Sequence, residues 1–226
     1  MKVCIFGGTF DPWTIGHQAI LDKMFELDEF SFIHIVPTIV SYHRAVKKPW
    51  LSDFQKVECI KAALYRRGYA VREFFRHYCS GVPYGKAGWM SSILIDDREL
   101  RYRDMLMTSQ GESGAENELV SGRRFIDTLC SIKISYPKTT EVYTVIGSDS
   151  AENLRSWYHY DDIVRNTKII VVEGRSGTKV PSDIPVEMVV SLGDSFSEVS
   201  ASKMREMFAE RVDGFNSLID YINGNY

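Results

Sequence analysis

The sequence predicts an α/β fold in which a doubly wound parallel sheet carries helices on both faces. Short apolar runs that suit buried strands alternate with longer segments whose apolar residues recur at helical spacing. This alternation opens the chain and returns after residue 123. It indicates parallel strands joined by right-handed crossovers. The length of 226 residues suits a single domain that spans residues 1–226.

The elements of the first half follow from apolar period and from residues that favour helix ends. Ser52 and Gln55 have the spacing of a capping box, which predicts a helix start, and Gly68 is suited to end that helix. In chain order, the predicted elements are a strand at 3–6, a helix at 15–27, a strand at 32–36, a helix at 52–67 and a strand at 69–75.

The signal weakens over residues 79–122, which are rich in Gly and Ser. This stretch contains one strand-like run at 92–95 and one candidate helix at 100–107. We interpret it as an insertion or flap within the domain. The elements predicted after it are a helix at 123–134, a strand at 142–146, helices at 151–157 and 160–166, strands at 169–172 and 186–190, and helices at 200–211 and 215–222.

Composition and charge limit the class of protein. The apolar fraction of 44% supports a core, and the formal net charge of −3 argues against a broad surface for nucleic acid. The sequence shows neither a signal peptide nor an apolar run of the roughly 18 residues that span a membrane. The four cysteines have no metal-binding spacing, which favours reduced thiols. We therefore expect a soluble cytoplasmic protein that binds neither nucleic acid nor membranes. An oligomer is compatible with the sequence, which does not indicate its state.

The stretch from Gly7 to His17 carries the strongest functional signal. It reads G-G-T-F-D-P-W-T-I-G-H and leads from a predicted strand into a predicted helix. The two glycines are expected to allow a tight turn there. Unpaired N–H groups and the helix dipole make such a helix start favourable for phosphate. The spacing excludes the two common phosphate loops, G-x-x-x-x-G-K-[ST] and G-x-G-x-x-G.

This stretch resembles the mark of the nucleotidyltransferase superfamily, G-x-F-D-x-x-[HT]-x-G-H. Two later blocks narrow the resemblance: G-S-D-x-x-x-x-L-x-x-W at residues 147–157 and V-S-A-S-K-M-R at residues 199–205. With them, the chain resembles bacterial-type nicotinate-nucleotide (or nicotinamide-nucleotide) adenylyltransferases over residues 1–77 and 121–226. The resemblance implies a Rossmann-like, HxGH-type fold. It also implies that ATP is joined to a pyridine mononucleotide, giving the dinucleotide and pyrophosphate in NAD biosynthesis.

The resemblance also implies roles for individual residues. His17, assisted by Thr14, and Arg205 are the expected catalytic residues, which neutralise charge on the phosphates of ATP. Trp157 is expected to stack on the pyridine ring, while Arg44 and Thr128 bind the same substrate. Mg²⁺ is expected to accompany ATP, held by phosphate oxygens and water instead of a protein metal site. The residues expected to bind ATP are Gly7, Gly8, Thr9, Phe10, Gly16, His17, Gly147, Asp149, Ser200, Ser202 and Arg205.

Departures from the family pattern leave alternatives open. Thr14 stands where the family usually has His, and this favours a pantetheine-phosphate adenylyltransferase as the alternative within the enzyme class. Ser41 and Tyr42 replace two prolines, and Arg124 and Phe125 replace Tyr and Ser or Thr. Together these departures are compatible with a non-catalytic nucleotide-binding module of the same fold. The choice between nicotinate and nicotinamide is not indicated by the sequence.

Two expected site residues also have a purely structural interpretation. Asp149 is suited to cap a helix, and Trp157 is suited to fill a core. A cytidylyltransferase fits less well, because residues 196–199 read F-S-E-V where that group has R-T-x-G-I.

Overall fold

The computed structural model describes residues 1–38, 49–69, 71–73, 92–101, 124–173, 182–192, 201–208 and 213–225. Seven strands within these ranges form one sheet, and each pair of neighbouring strands is parallel. In chain order the strands are β1 (Lys2–Gly8), β2 (Phe32–Pro37), β3 (Val71–Glu73), β4 (Ser92–Ile95), β5 (Glu141–Gly147), β6 (Lys168–Glu173) and β7 (Val186–Ser191). Their order across the sheet is β3-β4-β2-β1-β5-β6-β7, which confirms the predicted doubly wound parallel sheet.

The helices agree with the predicted pattern except at 151–157, where a helix at Ser148–Glu152 and a 3₁₀ helix at Leu154–Ser156 are found in place of the single predicted helix. The capping box that Ser52 and Gln55 predict is present, with the Ser52 N–H donating to Gln55 Oε1 at 2.9 Å and the Gln55 N–H donating to Ser52 Oγ at 3.3 Å. Within the described ranges the α-helices are α1 (Ile15–Glu26), α2 (Asp53–Arg66), α3 (Phe125–Ile134), α4 (Ser148–Glu152), α5 (Tyr160–Asn166), α6 (Ala201–Phe208) and α7 (Gly214–Asn225). A 3₁₀ helix covers Leu154–Ser156, and residues 98–101 are also helical.

An apolar core lies on each face of the sheet. Successive side chains of a strand point to opposite faces, and β1 shows this directly. Cys4 and Phe6 enter the core formed with α1, α2, α6 and α7. Val3 and Ile5 enter the core formed with α3, α4 and α5. Burial of both faces explains why the strands read as continuous apolar runs in the sequence.

Strand β4 corrects the interpretation of residues 79–122 as an insertion or flap. Ser92–Ile95 pairs with β2 on one side and with β3 on the other, so these residues belong to the central sheet. The prediction of an added segment is therefore wrong for this strand. Residues 79–91 and 102–122 lie outside the described residues, as does most of the candidate helix at 100–107.

A buried polar cluster ties the β4 side of the sheet to α3. His34 in β2 is fully buried, and its Nδ1 lies 2.8 Å from Asp96 Oδ2 while its Nε2 lies 2.6 Å from the hydroxyl of Tyr136. Arg98 donates to Asp96 Oδ1 at 2.8 Å and to the hydroxyl of Ser131 in α3 at 2.8 Å. These bonds satisfy polar groups that would be costly to bury alone, and they fix α3 against the sheet.

Two further observations concern helices and thiols. None of the described helices is long and apolar enough to cross a membrane. Cys4, Cys59 and Cys130 are free thiols in the structure, and Cys79 lies outside the described residues.

The strand order reverses between β1 and β5. Strand β1 pairs with β2 on one side and with β5 on the other, and the sheet continues outward from this pair in both directions. In open parallel sheets, ligands bind at the carboxyl ends of strands at such a reversal. Strand β1 ends at Gly8 and β5 ends at Gly147, so the two glycine-containing blocks meet there.

Candidate active site

The two glycines at the end of β1 lie in different surroundings. Both belong to the strand, with Gly7 opposite Val36 and Gly8 opposite Pro37, so the predicted turn begins after them. A Cβ atom on Gly8 would lie 2.7 Å from the ring of Phe10, closer than real Cβ contacts allow, whereas a Cβ on Gly7 would meet nothing within 4 Å. Gly8 is therefore required by packing of the protein itself, while Gly7 leaves open space beside the strand end.

His17 lies among three aromatic rings. Its ring centroid is 5.1 Å from that of Phe10, 5.5 Å from that of Trp13 and 6.3 Å from that of Phe6. This burial lowers the pKa of His17 from 6.5 to about 4, an effect that the charge of Asp149 partly opposes. Loss of hydration disfavours the charged imidazolium, so the imidazole is neutral at physiological pH.

Thr14 fixes the orientation and the tautomer of His17. Thr14 is the N-cap of α1, and its N–H donates to His17 Nδ1 at 3.0 Å while its hydroxyl accepts from the His17 N–H at 3.3 Å. Because Nδ1 accepts a hydrogen bond, the neutral ring carries its proton on Nε2. The side chain of Thr14 is only 2% exposed. Thr14 thus positions His17, and the predicted direct contact between Thr14 and phosphate is not supported.

Asp11 and Arg205 join three segments that are distant in the sequence. Arg205 in α6 donates to the carbonyl oxygen of Asp11 at 2.5 Å and to the hydroxyl of Ser202 at 2.9 Å. The carboxylate of Asp11 accepts from the N–H groups of Trp50 at 3.0 Å and Leu51 at 2.8 Å, just before α2. These hydrogen bonds hold the loop between β1 and α1 against the starts of α2 and α6.

The sequence predicted Arg205 and Ser202 but not the structural role of Asp11. The available signal was an acid in a loop beside Pro12, since such residues often accept hydrogen bonds from backbone N–H groups. The segment that Asp11 binds lies some 40 residues further along the chain, and its position there is not encoded by local spacing.

The block at residues 147–157 reaches the same region. Gly147 is the N-cap residue of α4, and a Cβ atom there would lie 2.8 Å from Asp149 Oδ1. The absence of a side chain at Gly147 therefore allows the carboxylate of Asp149 to lie back over the end of β5. Asp149 is exposed, and its charge acts on His17. The predicted neighbours Gly147, Asp149 and His17 are thus brought together.

A second group of side chains lies where the start of α3 meets the turn after the 3₁₀ helix. The rings of Phe125 and Trp157 have centroids 5.3 Å apart and an interplanar angle of 67°. The guanidinium carbon of Arg124 lies 3.5 Å from the ring centroid of Tyr158. Trp157 is partly exposed, and it packs against the apolar core formed with α3, α4 and α5. Phe125 is therefore a neighbour of Trp157, the predicted pyridine-stacking residue, and Arg124 is a neighbour of Tyr158, which follows it. Both Arg124 and Phe125 depart from the family pattern.

Thr128 lies in a setting that the sequence did not predict. Its side chain is fully buried, and its hydroxyl donates to Glu99 Oε1 at 2.6 Å. A contact between this hydroxyl and a substrate is not supported in this conformation. Two other predicted residues lie outside the described ranges: Arg44 and Ser200. Thr9 lies in the loop after β1 and Gly16 lies in the first turn of α1, and both are partly exposed.

This arrangement suits the binding of an anionic, phosphate-containing ligand. A neutral donor on His17, a guanidinium at Arg205 and the start of a 12-residue helix, α1, lie together at the end of β1. Within the described part of the chain, no group of three or more His, Cys, Asp and Glu side chains is placed to hold a metal ion.

Comparisons with known proteins agree with this geometry. A family model described as cytidylyltransferase-like matches residues 5–207. A curated protein of Fusobacterium nucleatum subsp. nucleatum, named probable nicotinate-nucleotide adenylyltransferase, is 22% identical over 94% of this chain and 90% of its own length. A protein of the same name from Sulfurimonas denitrificans is 23% identical over 90% of this chain and 84% of its own.

A solved structure supports the fold. It is the nicotinic acid mononucleotide adenylyltransferase of Plasmodium falciparum complexed with NaAD, which covers 98% of this chain and 94% of its own with a TM-score of 0.63. At 18% sequence identity, the likeness concerns the fold alone, and together with the family model it confirms the predicted fold class.

Proposed function

The chain belongs to the cytidylyltransferase-like family, and from this premise we propose that it is an adenylyltransferase of NAD biosynthesis. It joins ATP to nicotinate or nicotinamide mononucleotide and releases pyrophosphate. The observation that carries the proposal is the neutral His17, oriented by Thr14 at the reversal of the strand order. Relatives named nicotinate-nucleotide adenylyltransferase that span most of the chain favour this substrate pair.

The reaction needs no nucleophile from the protein. A phosphate oxygen of the mononucleotide attacks the α-phosphorus of ATP, and the bond between that phosphorus and the bridging oxygen of pyrophosphate breaks. Negative charge then accumulates on the departing pyrophosphate. Catalysis consists of aligning two anions and stabilising this charge with preorganised donors.

His17 and Arg205 are the residues that perform this task. The Nε2–H of the neutral imidazole donates to an α- or β-phosphate oxygen, and the tautomer is set before substrate binds. Arg205 carries several N–H donors. It is held by Asp11 and Ser202, and its remaining donors would stabilise charge on the β- and γ-phosphates. The open space at Gly7 admits the nucleotide beside the strand end.

Mg²⁺ enters as part of the ATP substrate. Among the described side chains at this site, the imidazole of His17 and the carboxylates of Asp11 and Asp149 do not make a cage for a hard cation, and the Asp11 carboxylate already accepts two backbone N–H groups. Mg²⁺ keeps several waters and binds phosphate oxygens readily, so it is carried by ATP. In the acceptor half, Trp157 stacks on the electron-poor pyridine ring.

The test is release of pyrophosphate from ATP with each of three acceptors: nicotinate mononucleotide, nicotinamide mononucleotide and phosphopantetheine. We expect release with a pyridine mononucleotide, and a strong reduction in the His17→Ala variant. Release with phosphopantetheine alone would assign the chain to the alternative that Thr14 suggested. Binding of ATP without release in any mixture would indicate a non-catalytic nucleotide-binding module.

A further inference from the structure

Trp13 is one of the three rings around His17, and its indole is held by a hydrogen bond. The Nε1–H of Trp13 donates to Gln18 Oε1 at 3.2 Å, and both side chains are fully buried. Phe6 and Phe10 lie beside the same imidazole, but their rings carry no hydrogen-bonding group. Trp13 is therefore the ring whose orientation a polar partner sets.

The carboxamide of Gln18 is held in one orientation. An indole N–H can only donate, and an ionised carboxylate can only accept. Gln18 Oε1 therefore accepts from Trp13, while Gln18 Nε2 donates to Asp22 Oδ1 at 2.7 Å. Exchange of the amide oxygen and nitrogen would lose both hydrogen bonds. Both ends of this buried carboxamide are thus satisfied.

Asp22 is anchored in turn by the segment that follows α2. Its Oδ1 also accepts from the Tyr69 hydroxyl at 2.8 Å, and its Oδ2 lies 3.5 Å from Arg67 Nη2. Burial and the hydrogen bond to Asp22 raise the pKa of Tyr69, so its hydroxyl keeps its proton and remains a donor. A chain of hydrogen bonds thus runs from the residues after α2, across α1, to the indole of Trp13.

The position of the Trp13 ring matters for His17. The centroids of the two rings are 5.5 Å apart, and burial of His17 lowers its pKa to about 4, against the opposing charge of Asp149. An imidazole stays neutral when its surroundings exclude water, and a donor stabilises a transition state best when it is preorganised. Displacement of the indole would admit water to one side of the imidazole.

We propose that Gln18 is a positioning residue of the adenylyl transfer: it holds Trp13 where the indole keeps water away from His17. Gln18 acts through the indole and not on a substrate. The inference deepens the proposed function and rests on it for the reaction. The arrangement of Gln18, Trp13 and His17, however, can be measured in the protein without substrate.

The experiment is a double-mutant cycle of Gln18→Met and Trp13→Phe. Gln18→Met keeps the length of the side chain without its acceptor, and Trp13→Phe keeps an aromatic ring without its N–H donor. Three quantities are measured for each protein: the pKa of His17 by NMR titration, kcat and KM from pyrophosphate release, and the free energy of unfolding in urea. Two residues that act through a shared contact give non-additive effects in such a cycle.

Two further variants serve as controls. Asp22→Asn removes the charge but keeps an oxygen that accepts from Gln18 and Tyr69. Thr144→Val removes a hydroxyl from another buried pair, in which the hydroxyl oxygens of Thr144 and Thr167 lie 2.9 Å apart. It matches the loss of a buried hydrogen bond without touching the surroundings of His17.

We expect Gln18→Met to raise the pKa of His17 from about 4 toward 6.5. It should lower kcat about 3- to 30-fold, a part of the effect of losing the whole donor, with KM changed about twofold or less. In the Trp13→Phe background, Gln18→Met should change the pKa and kcat far less, because the N–H that it holds is gone. Asp22→Asn and Thr144→Val should leave the pKa of His17 and kcat unchanged.

Three results would overturn the inference. If Gln18→Met lowers kcat and the free energy of unfolding but leaves the pKa of His17 near 4, Gln18 is a structural side chain. If its effects are the same with and without the indole N–H, it does not act through Trp13. If the pKa rises while kcat is unchanged, Gln18 has no part in the reaction.

Failure of the proposed function is recognised separately. A wild-type protein that releases no pyrophosphate with any acceptor would overturn the role of Gln18 in adenylyl transfer together with the proposed function. The titration of His17 in the same four proteins of the cycle would still show whether Gln18 keeps the imidazole dry, since it needs no substrate.

Discussion

The two ends of the site are held by different kinds of contact. The phosphate end, which comprises residues 7–17 with Asp149 and Arg205, is fixed by hydrogen bonds to backbone groups and by buried rings. The acceptor end, which comprises Arg124, Phe125, Trp157 and Tyr158, is held by contacts between the faces of side chains.

This difference bears on two of the departures from the family pattern, Arg124 and Phe125, which lie at the acceptor end, whereas the departure at Thr14 lies at the phosphate end. At the phosphate end a substitution disturbs the backbone of the loop that we propose binds phosphate, a group common to both proposed substrates. At the acceptor end a side chain can be replaced without moving the backbone, so the chemistry offered to the second substrate is free to change. We therefore expect substitutions at the phosphate end and at the acceptor end to change different properties of the protein. Four experiments test this expectation.

The largest effect is expected at His17. His17→Ala should lower kcat about 10²- to 10³-fold, because it removes one preorganised donor to charge that develops in the transition state. Steady-state kinetics with both substrates measure this, and His17→Gln, which keeps an N–H donor, should recover part of the activity. A His17→Ala enzyme with full activity would remove this residue from the chemistry and break the assignment of the phosphate end.

Trp157→Ala tests the acceptor end. It should raise KM for the mononucleotide about 10- to 100-fold, as expected for the loss of one stacked ring, with a much smaller change in KM for ATP. Trp157→Phe keeps an aromatic face, so its KM for the mononucleotide should lie between those of the wild-type protein and of Trp157→Ala. If KM rises equally for both substrates, Trp157 is a structural side chain and the separation of the two ends is wrong.

The neighbouring glycines allow a matched test within the phosphate end. Gly8→Ala should lower the free energy of unfolding by about 1–3 kcal/mol, because the new methyl group meets the ring of Phe10 in a packed site. Gly7→Ala should change it by about 0.5 kcal/mol or less but should raise KM for ATP, because the methyl group enters open space beside the strand end. Urea unfolding and the KM for ATP distinguish Gly8→Ala from Gly7→Ala. Equal destabilisation by the two substitutions would contradict this account.

The smallest effect concerns the pKa of His17. An NMR titration of the ring should give a pKa near 4, and Asp149→Asn should lower it further, because the Asp149 charge raises it. Between pH 6.5 and 4 the unfolded chain binds a proton that folded His17 does not. His17 therefore makes the free energy of unfolding fall as the pH falls through this window. A pKa near 6.5 would mean that the ring is hydrated and that the donor is not preorganised.

Local signals in the sequence were sufficient for most of the fold. The Ser52–Gln55 capping box and the apolar runs appear in the structure where they were predicted. Strand β4 was misjudged because its identity comes from its partners. A four-residue apolar run in a Gly- and Ser-rich stretch gives no indication that it lies between β2 and β3, and such pairing is encoded by the whole sheet.

The site was predictable in composition but not in its connections. Two separate motifs pointed to His17 and Arg205, and Thr14 was assigned to phosphate because a hydroxyl can bond a phosphate oxygen. The capping box of Thr14 and His17 was not predicted, because such a box usually has Glu or Gln where this chain has His17. Thr128 was assigned to substrate, although its hydroxyl bonds to Glu99, 29 residues earlier. The first contact is local but joins an unusual pair of residue types, and the second joins side chains that are distant in the sequence.

The most direct test of the division into two ends is the binding of each ligand alone to two variants. Calorimetry would measure a non-hydrolysable ATP analogue and nicotinate mononucleotide against the wild-type protein, Gly7→Ala and Trp157→Ala. We expect a crossed pattern, in which Gly7→Ala weakens only the ATP analogue and Trp157→Ala weakens only the mononucleotide. Equal loss of both ligands in either variant would contradict a site built from two separately held ends.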